Sequence, residues 1–196
     1  MSPHKTPEHS PTREAILDAA TVAFVKGGYR GTTMQQIAEA AGYTVPTLYS
    51  HFKNKQAILD QLMQRIITES FAVFDAPVPS GLSLSQHLEL LHLRIYTWLE
   101  ENNAAIRLLS TLPEAVQDET MNAERLFVDR MITLFGEHPD RGAIGDLDPA
   151  LAAWTLWGIG AGVFMRWLHH TPNTPLVEMA GYTVRVFFNG IRGEIE

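Results

Sequence analysis

Apolar side chains recur three or four positions apart along most of the chain, in stretches separated by glycine, proline or short polar segments. This spacing predicts amphipathic helices, and no stretch alternates apolar and polar residues as a β-strand does. The sequence therefore predicts an all-α fold, without internal repeats. The predicted helices cover about residues 12–26, 33–41, 44–52, 54–74, 83–101, 104–111, 113–135, 148–170 and 174–193.

The two short predicted helices at 33–52 form a helix-turn-helix motif. Thr33 is expected to cap the first helix with Gln36 as its capping-box partner, and Gly42 supplies the turn between the helices. Thr44 then caps a second helix that is able to enter a major groove. We expect its first residues to read bases, and the later polar side chains to bind phosphates. The residues expected to contact DNA are Thr33, Thr44, Val45, Pro46, Thr47, Tyr49, His51 and Lys55.

The stretch 16–59 reads ILDAATVAFVKGGYRGTTMQQIAEAAGYTVPTLYSHFKNKQAIL and resembles the tetracycline-repressor (TetR) family of transcriptional regulators. The resemblance covers about a quarter of the chain. It implies an N-terminal three-helix DNA-binding head and a helical body for dimerisation and effector binding. The chain departs from the family at Thr44, Val45 and Pro46, where the family often has a small polar residue followed by Lys-Gly. Base contacts at Val45 and Pro46 would therefore be apolar, for example to thymine methyl groups.

The charge of the chain is distributed unevenly. The net charge is -7, but residues 1–65 hold seven Lys or Arg against five Asp or Glu, whereas residues 66–196 hold eight against seventeen. A head of charge +2 can approach phosphates while the acidic remainder is repelled by DNA. We predict a DNA-binding domain at 1–60, of which 1–11 form a disordered arm, and an effector-binding and dimerisation domain at 61–196. The polar start of the chain is no secretion signal, and the absence of cysteine fits a cytoplasmic protein.

Residues 149–165 carry no charge, which raises the alternative of a membrane span. The run is shorter than the roughly 20 apolar residues that a bilayer requires, and it contains three glycines, so we predict no membrane association. A helix that is apolar all round instead favours burial against a second subunit. With the last helix it is predicted to form a homodimer interface, as the resemblance also implies. The predicted interface residues are Trp154, Gly158, Gly162, Met165, Ala180, Thr183, Phe187 and Ile191.

Large apolar side chains with a few polar neighbours in the body suggest a pocket for an apolar or aromatic effector. The alternative is that the same side chains form an ordinary core. The pocket residues proposed from the sequence are His92, Arg94, Tyr96, Trp98, Phe127 and Trp157.

Neither catalysis nor metal binding is expected. The sequence has no nucleophile elbow, phosphate-binding loop or dinucleotide motif, and the spacing of His169-His170 and of His87 with His92 does not suit a metal site. We therefore predict no cofactor, no metal site and no enzymatic activity. The predicted function is a DNA-binding transcriptional regulator, a repressor that binds a palindromic operator as a dimer and is released by a small molecule. The alternatives are a helical binding or dimerisation module without a DNA role and an enzyme.

Overall fold

The computed structural model describes residues 10–110, 113–170 and 174–192, and their side chains except those at 109, 113–122, 191 and 192. Every regular element in these ranges is helical, which confirms the predicted all-α fold. Two short 3-10 helices, Arg141–Ile144 and Leu176–Met179, accompany the α-helices. The α-helices are α1 (Pro11–Gly31), α2 (Met34–Ala40), α3 (Val45–His51), α4 (Lys55–Phe74), α5 (Leu84–Glu101), α6 (Asn103–Ser110), α7 (Pro113–Glu137), α8 (Pro149–His170) and α9 (Ala180–Arg192).

Side-chain caps fix where several of these helices begin. Thr33 and Gln36 form the predicted capping box of α2, and Thr44 Oγ1 accepts a hydrogen bond from the backbone of α3. Each cap gives a partner to an amide that has none inside the helix. Ser10 likewise caps α1, so the prediction of disorder is wrong for residues 10 and 11; the other residues of the predicted arm, 1–9, lie outside the described ranges.

Two glycines have backbone conformations that L side chains rarely adopt. Gly28 (φ 71°) interrupts α1 near the predicted stop, and α1 then continues for three more residues. Gly42 (φ 73°) makes the turn between α2 and α3, as predicted.

The last helix differs from its prediction, because its first turn is the 3-10 helix Leu176–Met179.

The chain separates into two compact units. Unit 1 comprises Met1–Thr68 and Ala104–Val116, and unit 2 comprises Glu69–Asn103 and Gln117–Glu196. The predicted division at residue 60 falls eight residues before this boundary. Because α4 continues through it as a single helix, the sequence pattern offers no break that would mark the position.

The core of unit 1 forms beneath the helix-turn-helix. Phe24 of α1, Ile37 of α2 and Leu48 of α3 are completely buried together with Ile58 of α4. Leu108 of α6 packs into the same cluster, which explains why Ala104–Val116 belong to this unit. The unit therefore holds α3 on a close-packed base of apolar side chains.

The core of unit 2 lies among α5, α7, α8 and α9. Leu88, Phe135, Leu156 and Phe187, one from each of these helices, are all buried in it. None of the helices in the described part of the chain is long and apolar enough to span a bilayer.

Candidate nucleic-acid interface

The start of α3 displays short polar side chains. Thr44 Oγ1 lies 3.3 Å from the Thr47 amide, which donates to it, and 2.8 Å from Thr47 Oγ1. Pro46 is exposed in the first turn, where its missing amide costs no helical hydrogen bond. Thr33, at the start of α2, is also a capping residue. The predicted base-reading residues are therefore held in a fixed local geometry before any DNA arrives.

One face of α3 is buried and the opposite face is exposed. Leu48 is fully buried, and Val45 is half-buried against the core of unit 1. Tyr49 retains 52% of its surface and Ser50 is also exposed. Val45 contributes to packing, so among the apolar candidates for base contact Pro46 is the more accessible.

His51 ends α3 in a half-buried position. Its Nδ1 is buried and has no hydrogen-bond partner, and its carbonyl accepts a hydrogen bond from Arg13. A phosphate contact by this imidazole therefore stays a prediction, and Nδ1 is not the atom that would make it.

Lys55 does not face outward as predicted. Its ammonium donates to the carbonyls of Tyr29 and Thr32, at 2.5 and 2.7 Å, and lies 3.3 Å from that of Arg30. It also lies 4.6 Å from the centre of the Tyr29 ring. The predicted outward orientation is therefore wrong, because the ammonium binds the carbonyls at the end of α1, and a phosphate contact by Lys55 stays a prediction.

Among the described side chains of unit 1, three other basic ones are exposed, namely Lys26, Arg30 and Lys53. Lys53 follows α3 by two residues and is the one nearest to it in sequence. The residues predicted from the sequence to bind phosphate include Lys55 but not Lys53. The position of Lys53 close after Tyr49, His51 and Phe52 in the sequence would have indicated a phosphate contact.

The predicted dimer residues of α8 lie on one exposed face. Trp154 and Met165 retain 49% and 47% of their surfaces, and Gly158 and Gly162 lie between them at helical spacing. Leu151, which the prediction omitted, extends the same face and is 56% exposed. We call these five residues the α8 face.

The predicted dimer residues of α9 lie elsewhere. Ala180, Thr183 and Phe187 are buried inside unit 2, so their assignment to an interface is wrong. These three residues recur at helical spacing on the face that packs against its own subunit. The side chain of Ile191 lies outside the described residues.

The six predicted pocket residues separate into different surroundings. The Phe127 ring lies 5.2 Å from that of Trp157, whose indole donates to Glu124. The Phe74 ring lies 4.7 Å from Phe127. These three aromatic side chains pack against one another, and a ligand site beside them stays a prediction.

Two polar side chains of the predicted pocket form hydrogen bonds within the protein. Tyr96 is buried, and its hydroxyl lies 3.0 Å from that of Thr183, while His92 Nδ1 lies 2.8 Å from the Leu88 carbonyl. Burial lowers the pKa of His92 and raises that of Tyr96.

Two further predicted pocket residues lie apart from these contacts. Arg94 donates to the carbonyls of Ala76 and Pro77, and its assignment to a pocket stays a prediction. Trp98 is buried. A surface cleft of ≈ 460 Å³ elsewhere in unit 2, beside Ser85, Asp140 and Phe188, contains none of the six.

The described side chains include no group of three or more histidines, aspartates or glutamates that could hold a metal ion. A helix-turn-helix with one face of its second helix exposed is typical of a DNA-binding protein.

Comparisons with known proteins show which family the N-terminal helices resemble. Residues 16–62 match the family described as bacterial regulatory proteins, tetR family. The chain is 28% identical over 196 residues to the uncharacterized HTH-type transcriptional regulator YvkB of Bacillus subtilis, covering 94% of this chain and 99% of that one. It is 28% identical over 125 residues to the HTH-type transcriptional repressor KstR2 of Rhodococcus jostii, covering 64% of this chain and 60% of the relative.

A solved structure, the SmeT-triclosan complex, superposes with a TM-score of 0.76 at 21% identity, covering 92% of this chain and 91% of that one. At this identity the likeness is one of fold. Residues 16–62 thus form a helix-turn-helix domain of the TetR type, and the protein is a helix-turn-helix transcriptional regulator similar to members of that family. The relatives it matches are transcriptional regulators and not enzymes.

Proposed function

We propose that the protein is a cytoplasmic transcriptional repressor that binds a palindromic operator as a homodimer and releases it when a small molecule binds unit 2. The exposed outer face of α3 above a buried inner face carries the proposal. Tyr49 and Pro46 are available to DNA while Leu48 anchors the helix to its own core. A recognition helix needs this division between a fixed side and a free side.

The homodimer is supported by the α8 face. Its exposed Leu151, Trp154 and Met165 surround two glycines, which permit a partner helix to approach closely. An apolar stripe of this kind on a protein that binds a palindrome is suited to self-association around a twofold axis. The two copies of α3 would then have to lie about 34–36 Å apart to enter successive major grooves.

Repression and release by an effector rest on the relatives. KstR2 is named a repressor, and SmeT was solved with triclosan, an apolar aromatic compound. An effector that prefers one spacing of the recognition helices lowers operator affinity, and operator lowers effector affinity by the same factor. Since α4 contains residues of both units, it is the element through which we expect this coupling to pass.

The first experiment is selection of binding sites from a randomised duplex library. We expect a palindromic consensus with two half-sites, and gel shifts should show one dimer for each site. A consensus with a single half-site would contradict the dimeric arrangement, and enrichment of no sequence would contradict the function itself.

The effector is tested with triclosan as the probe, because it is an aromatic molecule of the predicted class. Binding should change the tryptophan fluorescence and weaken binding to the selected duplex over the same concentration range, since both report one coupled equilibrium. A fluorescence change without any loss of DNA binding would show that this probe is not an effector.

A further inference from the structure

Arg13 makes a set of contacts that DNA binding and dimerisation do not explain. It is the third residue of α1, and its guanidinium reaches two other helices of unit 1. Nη1 donates to the carbonyl of His51 at 2.8 Å, and Nη2 donates to Gln61 Oε1 at 2.9 Å. The guanidinium carbon also lies 4.2 Å from the centre of the Phe52 ring. Arg13 therefore connects α1, the end of α3 and α4 through one side chain.

The chemistry of these contacts suits arginine specifically. The carbonyl of His51 belongs to the last turn of α3, where carbonyl groups have no partner within the helix. The negative end of the helix also attracts a cation. A planar guanidinium donates in two directions within its plane while its face packs on an aromatic ring. An ammonium is a compact charge on a flexible stem and does not reproduce this combination.

The contacts matter because α3 is short. It has seven residues, and Leu48 is its only fully buried side chain. Val45 is half-buried beside it, and Phe52 is buried directly after the helix. Because apolar packing is non-directional, these contacts alone leave the tilt of a two-turn helix weakly determined. Thr44 fixes the first turn, and Arg13 fixes the last turn against α1 and α4.

We propose that Arg13 is a positioning residue for sequence recognition, which sets the tilt of α3 in the major groove without touching DNA itself. The inference rests on the proposed function, because it concerns how α3 discriminates between sequences. It separates two effects of cationic residues on unit 1. Arg13 orients the helix from behind, whereas an exposed lysine such as Lys53 would add to phosphate binding on any sequence.

The test compares Arg13→Lys with Lys53→Ala on two duplexes of equal length. One is the sequence that the wild-type protein selects from a randomised library, and the other is its scrambled version. Arg13→Lys should weaken binding to the selected duplex by about tenfold, the low end of the range for one charge-assisted hydrogen bond, and leave the scrambled duplex nearly unchanged. Its salt dependence should remain that of the wild type. Lys53→Ala should weaken both duplexes alike and reduce the salt slope by about one.

Circular dichroism at the assay temperature establishes that each variant is folded. A second variant, Gln61→Ala, keeps Arg13 but removes its partner on α4, and should lower the ratio of selected to scrambled affinity in the same direction by a smaller factor. If Arg13→Lys does not fold, the ratio measured for Gln61→Ala decides the question.

Three results on the variants would overturn the inference. A folded Arg13→Lys protein with the wild-type affinity ratio would assign Arg13 to stability alone, as would an unchanged ratio for Gln61→Ala. Equal losses on both duplexes together with a reduced salt slope would make Arg13 a phosphate contact. A wild-type protein that selects no sequence would refute the proposed function, and the inference with it, before any variant is compared.

Discussion

Trp154→Ala should dissociate the proposed homodimer while leaving the subunit folded. The side chain retains 49% of its surface in the single chain, and it lies in the middle of the α8 face. A large aromatic side chain buries about 200 Å² when fully covered, so a partner would cover at most about 100 Å² of Trp154. At about 25 cal/mol per Å², this gives at most about 2.5 kcal/mol per subunit and about 5 kcal/mol for both copies of a symmetric dimer. The dimer dissociation constant should rise by up to about four thousandfold.

The assay is sedimentation velocity over a range of protein concentrations, with urea unfolding measured in parallel. Phe187→Ala is the matched control, because Phe187 is a large aromatic side chain that is 1% exposed and packs inside unit 2. It should cost about 3–5 kcal/mol of unfolding free energy and leave the dimer constant unchanged at temperatures where the subunit is folded. Trp154→Ala with a wild-type dimer constant, or Phe187→Ala as a folded monomer, would refute the reasoning.

Two further predictions concern cationic side chains. Lys55→Met should destabilise the protein by about 1–3 kcal/mol in urea unfolding, because the carbonyls of Tyr29 and Thr32 lose their donor, whereas Lys53→Met should change stability by less than about 0.5 kcal/mol. A reduced salt slope of DNA binding in the Lys55 variant but not in the Lys53 variant would reverse these roles. Burial lowers the pKa of His92, so the unfolded chain binds more protons than the native protein between that lowered value and the ordinary pKa of about 6.5. Stability should therefore fall as the pH decreases below about 6.5, and His92→Asn should reduce the slope in urea unfolding; an identical slope in both proteins would contradict the pKa direction.

Local chemistry explains how much of the fold was predictable. The capping residues Thr33 and Thr44, the turn at Gly42 and the apolar spacing around Leu48 all act within a few residues of one another. Such interactions are visible in the sequence because helical geometry fixes which neighbours meet. The helix-turn-helix and most helix bounds followed from them.

The differences between the predicted and the observed side-chain contacts involve partners that are distant in sequence. Lys55 binds carbonyls more than twenty residues earlier, and Arg94 binds the carbonyl of Ala76 at the far side of a turn. Helical spacing also does not show which apolar face of a helix packs inside its own subunit, which is why Thr183 and Phe187 were assigned to the interface. These outcomes depend on tertiary packing, which the pattern along one helix does not contain.

The central claim is that α3 enters the major groove twice on one operator, once from each subunit. Hydroxyl-radical footprinting of the selected duplex tests this most directly. The account predicts two protected segments on the same face of the DNA with centres about one helical turn apart, 34–36 Å, or a multiple of it. A single protected segment, or two segments on opposite faces of the duplex, would contradict it.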